Sequence, residues 1–377
     1  MPEWTIGAVL DAIAEVIPDR PMTICGERTS TFADSADRTR RLANFLAGRG
    51  FGAHRERSDL QNWECGQDRV ALIMHNDLYP DMVIGCLKGR VVPVNVNHHY
   101  TPREVAELLD YIKPPRGVIY HRSLGARFAD VLPPDSAELL ISIDDGSAGP
   151  DLPGAIDLDE VLAQGDQDQS ISASPDDVLM ICTGGTTGRP KGGDVAAGRH
   201  LCHLDERCRS RVRHRDPRQA RHPPGAPWFA VSPPLMHAAG MWTAFAGVLN
   251  GQTVVLYDSA KFDPHRVLST AQRHKVGMMT MVGDAYAAPL VEELRRGGLR
   301  PVLVVRVGDR RSGDQPQASE RPPGAAARHH PDQRLRIVGD RQCRVRAQHA
   351  WRPQGHLRIT RRRFGSRRGL QPLPRRR

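Results

Sequence analysis

Short apolar runs alternate with amphipathic stretches along most of this 377-residue chain, and that alternation limits the fold more than any other feature. "RVALIM" (Arg69–Met74), "VVPVNVN" (Val91–Asn97), "GVIYH" (Gly117–His121) and "ELLISID" (Glu138–Asp144) have the length and apolar content of buried strands. Between the first two, "PDMVIGCLKG" (Pro80–Gly89) has proline near its first turn and glycine at its end, as a helix does. "TPREVAELLDYI" opens with Thr101 as N-cap, Pro102 at the first helical position and Glu104 closing a capping box. Its Val105, Leu108, Leu109 and Ile112 share one helical face. Past residue 223 the pattern resumes, with strands at "WFAVS" (Trp228–Ser232), "TVVLYD" (Thr253–Asp258) and "VGMMTMV" (Val276–Val282). The intervening helices are "HAAGMWTAFAGVL" (His237–Leu249), ended by Asn250–Gly251, "PHRVLSTAQRHK" (Pro264–Lys275) and "DAYAAPLVEELRR" (Asp284–Arg296), which holds a proline. Strand and helix in this order predict an α/β fold, a parallel or mixed sheet covered by helices.

The net charge of +10 is unevenly placed. Residues 306–377 carry 20 arginines, no lysine and 5 acids; residues 193–222 carry 8 arginines, no lysine and 4 acids. The remainder is net acidic, as in an ordinary soluble protein. No apolar run reaches the ~18–20 residues of a membrane-spanning helix, so no transmembrane segment is expected. The opening "MPEWTIGAVLDAIAEVIPDRP" has acids where a signal peptide needs cations. Seven cysteines at irregular spacing, without CxxC, fit reduced thiols, and the expected location is cytoplasmic. Beyond about residue 300 the periodicity ends; segments such as "RITRRRFGSRRGLQPLPRRR" cannot bury a core, and an Arg-rich, disordered C-terminal tail is expected.

One loop carries chemistry. "DVLMIC" (Asp177–Cys182) suits a buried strand and delivers "TGGTTGRPKG" to its end. Gly184, Gly185 and Gly188 let the backbone take positive φ and bring amides close to an anion. Thr183, Thr186 and Thr187 add hydroxyl donors, Lys191 a point charge, and Pro190 a stiff exit. The loop is not a Walker A motif, because Gly188 is followed by Arg-Pro-Lys. A structural turn is the plain alternative; the unbroken run of such positions after a buried strand argues for a polyphosphate.

"TGGTTGRPKG" resembles the phosphate loop of the adenylate-forming superfamily, which comprises acyl-CoA synthetases, luciferases and peptide-synthetase adenylation domains. "LKGRVVPVNVNHHYTPREVAELLDY", "WFAVSPPLMHAAGMWTAFAGVLNGQTVVLYDSAKFDP" and "HKVGMMTMVGDAYAAPLVEEL" are similar to further segments of that superfamily, bacterial fatty-acid–CoA ligases in particular. The resemblance implies the large N-terminal domain of the adenylate-forming fold, helix-covered β-sheets, in incomplete form. It implies a carboxylic acid, ATP with Mg²⁺, and coenzyme A as substrates: the acid becomes an acyl-adenylate, then a thioester. Lys191 and the loop residues are implied to hold the phosphates. His237, in "PLMHAAG", is implied to lie where the ATP site meets an acyl tunnel; a helix-start histidine with no role is the alternative. Met236, Met241, Trp242 and Phe245 are candidates for lining that tunnel, against the plainer reading of a helical core stripe. No protein-held metal site is expected.

The resemblance covers residues 1–192 and 223–300. The interval 193–222 departs from it abruptly, and so does 301–377. "GDVAAGRH" (Gly193–His200), shifted by one nucleotide, can be read as V-M-W-R-Q-G-D-I, which resembles how such ligases continue. "HHPDQRLRIV" (His329–Val338), shifted likewise, can be read as I-I-x-I-N-D-Y-G-S-S, similar to the approach to the next core motif. Both segments are therefore expected to be out of frame. As written, the chain lacks the Glu, the Thr-Gly-Asp run and the C-terminal lysine of the family pattern, which implies a defective fragment with little activity. Three other readings compete. His200, Cys202, His203 and Cys208 invite zinc, but their spacing fits no common structural site. The arginine tail invites nucleic acid, but only Trp351 and Phe364 could stack on bases, so no dedicated nucleic-acid partner is expected. The third is a non-catalytic nucleotide-binding remnant whose tail binds nucleic acid nonspecifically.

Overall fold

The computed structural model describes residues 4–61, 64–112, 115–132, 138–184, 190–196, 228–230, 234–259, 261–282, 284–299, 304–308, 334–335 and 356–357. In chain order the elements are α1 (Ile6–Ala14), β1 (Pro21–Cys25), β2 (Arg28–Thr31), α2 (Phe32–Gly48), β3 (Arg69–Ile73), α3 (Tyr79–Lys88), β4 (Val92–Asn95), α4 (Pro102–Tyr111), β5 (Gly117–His121), α5 (Arg122–Phe128), β6 (Leu139–Ile143), β7 (Ala155–Asp157), α6 (Leu158–Gln164), β8 (Val178–Gly184) and β9 (Pro190–Ala196). Then come β10 (Trp228–Ala230), α7 (Ala238–Val248), β11 (Val254–Leu256), α8 (Pro264–Arg273), β12 (Met278–Val282), α9 (Asp284–Arg296), β13 (Val304–Gly308), β14 (Arg334–Leu335) and β15 (His356–Leu357).

These strands form two sheets. One has seven strands in the order β7-β6-β5-β3-β4-β8-β9, parallel except for the β8–β9 pair. The other has eight in the order β14-β15-β13-β12-β10-β11-β1-β2, with a parallel centre. Alternate residues of each strand enter different cores. Val70, Leu72, Leu179 and Ile181 join Val254 and Leu256 in the core that also holds residues of α1, α2, α3 and α7. Ala71, Ile73, Met180 and Cys182 face the opposite way, onto α4 and α5. Val255 and Met279 pack with α8 and α9. Helices and sheets therefore alternate in layers, with one helical layer between the two sheets. A strand covered on both faces can be apolar throughout, which is why the runs read as continuous rather than alternating.

Helix ends follow the residues. Thr101 and Glu104 make the expected capping box on α4. Thr31 and Asp34 make another at α2. Gly251, at φ +69°, closes α7, its N–H reaching the Val248 carbonyl at 2.8 Å. Several elements go beyond the sequence reading, among them α1, the β1–β2 hairpin, the long α2, α5, β7 and α6. The eight-stranded sheet also continues past residue 300, where "VVRVG" forms β13 beside β12. Two short strands of the tail expected to be disordered, β14 and β15, also join this sheet, β15 against β13; the rest of that tail and most of the interval 193–222 lie outside the described residues, and Gly193–Ala196 complete β9. No helix among the described residues is long and apolar enough to cross a membrane.

Candidate functional site

The glycine-threonine motif begins where the sequence places it, at the carboxyl end of an inner strand. β8 runs parallel to β4, with Asn95 beside Ile181. β9 returns antiparallel, putting Gly184 opposite Pro190 and Thr183 opposite Lys191. The loop thus departs and returns at one strand pair, and its two anchors stand about 5 Å apart at Cα. Gly185, Thr186, Thr187 and Gly188 lie outside the described residues. The strand pair thus opens the motif at the carboxyl end of a sheet, where ligands of open α/β folds bind.

His237 is the N-cap of α7, without a side-chain capping bond. It is half-buried, and burial, aided by nearby His99, holds its imidazole below the ordinary range. The three residues before it form neither strand nor helix, so their backbone groups must find partners elsewhere. The His237 amide donates to the Pro234 carbonyl at 2.9 Å, and two buried asparagines meet the Leu235 N–H and the Met236 C=O. Asn76 Oδ1 accepts from the Leu235 amide at 2.9 Å, and Asn76 Nδ2 donates to the Tyr257 carbonyl at 2.8 Å. Asn95 Oδ1 accepts from the Cys182 amide at 2.8 Å, and Asn95 Nδ2 donates to the Met236 carbonyl. The strand that carries the loop and the segment that carries His237 therefore share one side chain.

Met236, Met241, Trp242 and Phe245 are all buried, at 2%, 2%, 8% and 1% exposure, in the core between the sheets. The described residues around them are those of a packed layer.

A cleft of about 640 Å³ opens beside this segment, bounded at Pro234. Its walls come from the carboxyl ends of both sheets: Cys25, Arg28 and Tyr257–Ser259 on one side, His75–Asp77, His98, His99, His121 and Asp145 on the other. The histidines interlock. The His75 ring stands edge-on to His98 at 4.7 Å and stacks near His121 at 5.6 Å. His98 Nδ1 bonds to the Met74 carbonyl at 2.9 Å, which makes it the donor. Burial, with neighbouring imidazoles, pushes His98 and His121 down to about 3, so both are neutral at physiological pH. At the lip, Ser123 Oγ donates to Asp145 and lies 3.4 Å from His75 Nε2.

Sequence reasoning missed these histidines and both asparagines. A signal was present: "IMHN", "VNHHY" and "IYH" each place histidine at or just after the end of a parallel strand. Side chains there line the crevice of an α/β sheet. Among the described residues no group of three or more His, Cys, Asp or Glu side chains is arranged to hold a metal ion. The Mg²⁺ that the resemblance implies thus finds no fitting ligand set among them, and no step is assigned to it. His200, Cys202, His203 and Cys208 lie outside the described residues.

Comparison with known proteins gives a consistent picture. The profile of the family described as AMP-binding enzyme matches residues 10–352, running through 193–222 and past 300. The medium-chain acyl-CoA ligase Mig of Mycobacterium avium is 34% identical over 306 residues, covering 78% of this chain and 55% of that protein. A medium/long-chain-fatty-acid–CoA/3-oxocholest-4-en-26-oate–CoA ligase of Mycobacterium tuberculosis H37Rv is 27% identical over 301 residues, 75% of this chain and 50% of that one. The chain spans about half the length of the curated relatives it matches. In fold it is similar to a long-chain-fatty-acid–CoA ligase from Archaeoglobus fulgidus (TM-score 0.61, 18% identity, 78% of this chain and 55% of that chain). It is also similar to the o-succinylbenzoate coenzyme A synthetase of Bacillus subtilis in complex with ATP and magnesium ion (TM-score 0.58, 22% identity, 79% and 54%).

Proposed function

This chain belongs to the AMP-binding enzyme family, and from that premise we propose that it derives from an ATP-dependent acyl-CoA synthetase. The observation that carries the reading is the β8–β9 hairpin: Thr183 opposite Lys191 at the carboxyl end of a parallel strand, tied through Asn95 to the segment leading into His237. In the proposed reaction a carboxylate oxygen attacks the α-phosphorus of ATP and pyrophosphate leaves. The thiol of coenzyme A then displaces AMP from the acyl carbon. Charge builds on the β- and γ-phosphates as pyrophosphate departs. The amides of Gly184, Gly185 and Gly188, the hydroxyls of Thr183, Thr186 and Thr187, and the ammonium of Lys191 would meet that charge where it grows. His237, at the start of α7, is assigned to the junction of nucleotide and acyl group. Met236, Met241, Trp242 and Phe245 are the candidate acyl-facing residues.

The acid is taken to be a medium-chain fatty acid, the class named for the Mycobacterium avium relative. Octanoate-dependent exchange of labelled pyrophosphate into ATP tests adenylate formation. Exchange that octanoate does not stimulate in a chain that still binds ATP would favour a nucleotide-binding remnant over a catalyst.

We further propose that residues 193–222 and 301–377 are written from a shifted frame, and that the 377-residue polypeptide forms acyl-CoA poorly for that reason. The composition of the two intervals supports this, with 8 and 20 arginines and no lysine in 193–222 and 306–377. Resequencing across codons 192–223 and 298–305 is the test; an unbroken frame encoding these residues as they stand would sink it.

A further inference from the structure

Ahead of α7, Leu235 and Met236 lie against the carboxyl ends of β3 and β4 of the seven-stranded sheet without a ladder of their own. The Leu235 N–H and the Met236 C=O are each met by an asparagine side chain that uses both ends of its amide. Asn76 stands three residues past β3 and is 7% exposed; Asn95 is the last residue of β4 and is 2% exposed. Asn76 takes the Leu235 N–H and gives its own N–H to Tyr257, so it bridges the two sheets. Asn95 takes the Cys182 N–H and gives to Met236, so it bridges the phosphate-loop strand and the residue before His237. Only a side chain with one acceptor and one donor at the same short reach satisfies such a pair. Leucine would orphan two backbone groups, and aspartate would set an anion against a carbonyl oxygen. Two buried side chains therefore hold the segment at its Leu235 N–H and its Met236 C=O, the polar groups of the two peptides that flank the Leu235–Met236 bond, while their other ends are anchored on Tyr257 and Cys182. His237, which has no capping bond to orient it, inherits its position from them.

We infer that Asn95 and Asn76 are positioning residues that set His237 against the end of β8, Asn95 fixing its distance from the phosphate loop and Asn76 its height between the sheets. This rests on the proposed nucleotide role of the loop. It adds that one side chain couples the grip on the phosphates to the placement of the residue at the acyl end.

The test uses the full 377-residue chain labelled with ¹³C at histidine Cε1, the His237 resonance being identified by its loss in His237→Gln. Asn95→Ala is expected to shift that resonance and to weaken ATP binding at least tenfold. Leu108→Ala, a truncation in the core on the far side of the sheet, is expected to lower the melting temperature by a similar amount and leave both unchanged. An unmoved His237 resonance in folded Asn95→Ala overturns the inference. A moved resonance in a chain whose wild type binds no ATP upholds the positioning role and removes the nucleotide reading instead, so the two failures are told apart. If Asn95→Ala does not fold, Asn95→Asp carries the test. Its protonated carboxyl keeps one donor and one acceptor, so His237 is expected near its wild-type shift at low pH and displaced from it as the carboxyl ionises. No such pH-dependent displacement, relative to wild type, would overturn the inference.

Discussion

The backbone N–H of His75 donates to Nδ1 of His121 at 2.9 Å, which leaves the proton of that neutral ring on Nε2, a buried atom without a partner among the described residues. A second proton would put a charge where burial already opposes it, beside His75 and Arg28, with only Asp145 in its favour. His98, facing His75, His99 and His237, is in the same position. Both rings are pushed from the ordinary 6.5 down to about 3 in the folded chain, so the unfolded chain binds more protons throughout that window. Their contribution is complete above pH 6.5 and is lost as pH falls toward 3. Each ring is expected to cost about 2 kcal/mol of stability by pH 5. Urea unfolding at pH 7.5, 6 and 5 measures it, and His121→Asn should flatten part of the slope. Equal stability at pH 7.5 and 5 would contradict the neutral-ring assignment.

Arg38 Nη1 donates to Asp81 Oδ1 at 2.7 Å, joining α2 to α3, and the Asp81 side chain is fully buried. Removing the cation strands a carboxylate in the core. Arg38→Met is therefore expected to destabilise by about 3 kcal/mol. The double variant Arg38→Met/Asp81→Leu should recover most of that loss, since it removes the stranded charge as well. Denaturant midpoints of the two variants decide the matter; a double variant no better than the single one would place the cost in packing.

α2 is gripped from two sides by glycines. A Cβ on Gly165, at the end of α6, would sit 2.0 Å from the Arg41 carbonyl oxygen, a backbone atom that cannot turn aside. On Gly85, in α3, it would meet the Leu42 side chain at 2.7 Å, and Leu42 is wholly buried. Gly165→Ala and Gly85→Ala should each destabilise by about 1–3 kcal/mol. Gly48, in the last turn of α2, has open space around its Cβ position. Gly48→Ala should be neutral or stabilise by up to about 1 kcal/mol. Thermal melts of the three variants read the contrast, and a harmless Gly165→Ala would mean α6 docks more loosely than this.

The sequence made the strand–helix alternation and the α4 cap legible, because capping boxes and apolar runs are local signals. Thr101 with Glu104 was readable, and Thr31 with Asp34 at α2 is the same motif with a shorter acid. The division of the strands into two sheets was not readable. It is decided by which face of Val254–Leu256 meets α7 and which meets α8, a tertiary choice. The candidate loop was visible from its glycines and threonines. Asn76, Asn95 and the histidines were not, because each looks like an ordinary loop polar residue until its partners are brought beside it, 87 to 181 residues away in the chain for the asparagines and 24 to 46 for the ring hydrogen bonds of His98 and His121.

The hairpin register sets the last expectation. Lys191 stands opposite Thr183, at the closing end of the loop, and under the proposed function its ammonium would meet the β- and γ-phosphates. A single charge placed there distinguishes nucleotides by their phosphate count. Lys191→Ala should weaken ATP binding by about tenfold or more, equivalent to the ~1.4 kcal/mol or greater of one charge-assisted contact, and leave AMP binding nearly unchanged. Lys191→Arg should fall between, since the charge survives but a broad planar guanidinium replaces a compact ammonium. Titration calorimetry with ATP and AMP on the three chains separates these outcomes. Parallel losses for both nucleotides would mean that Lys191 holds the hairpin together rather than the terminal phosphates. No loss for either would remove the lysine from the site altogether.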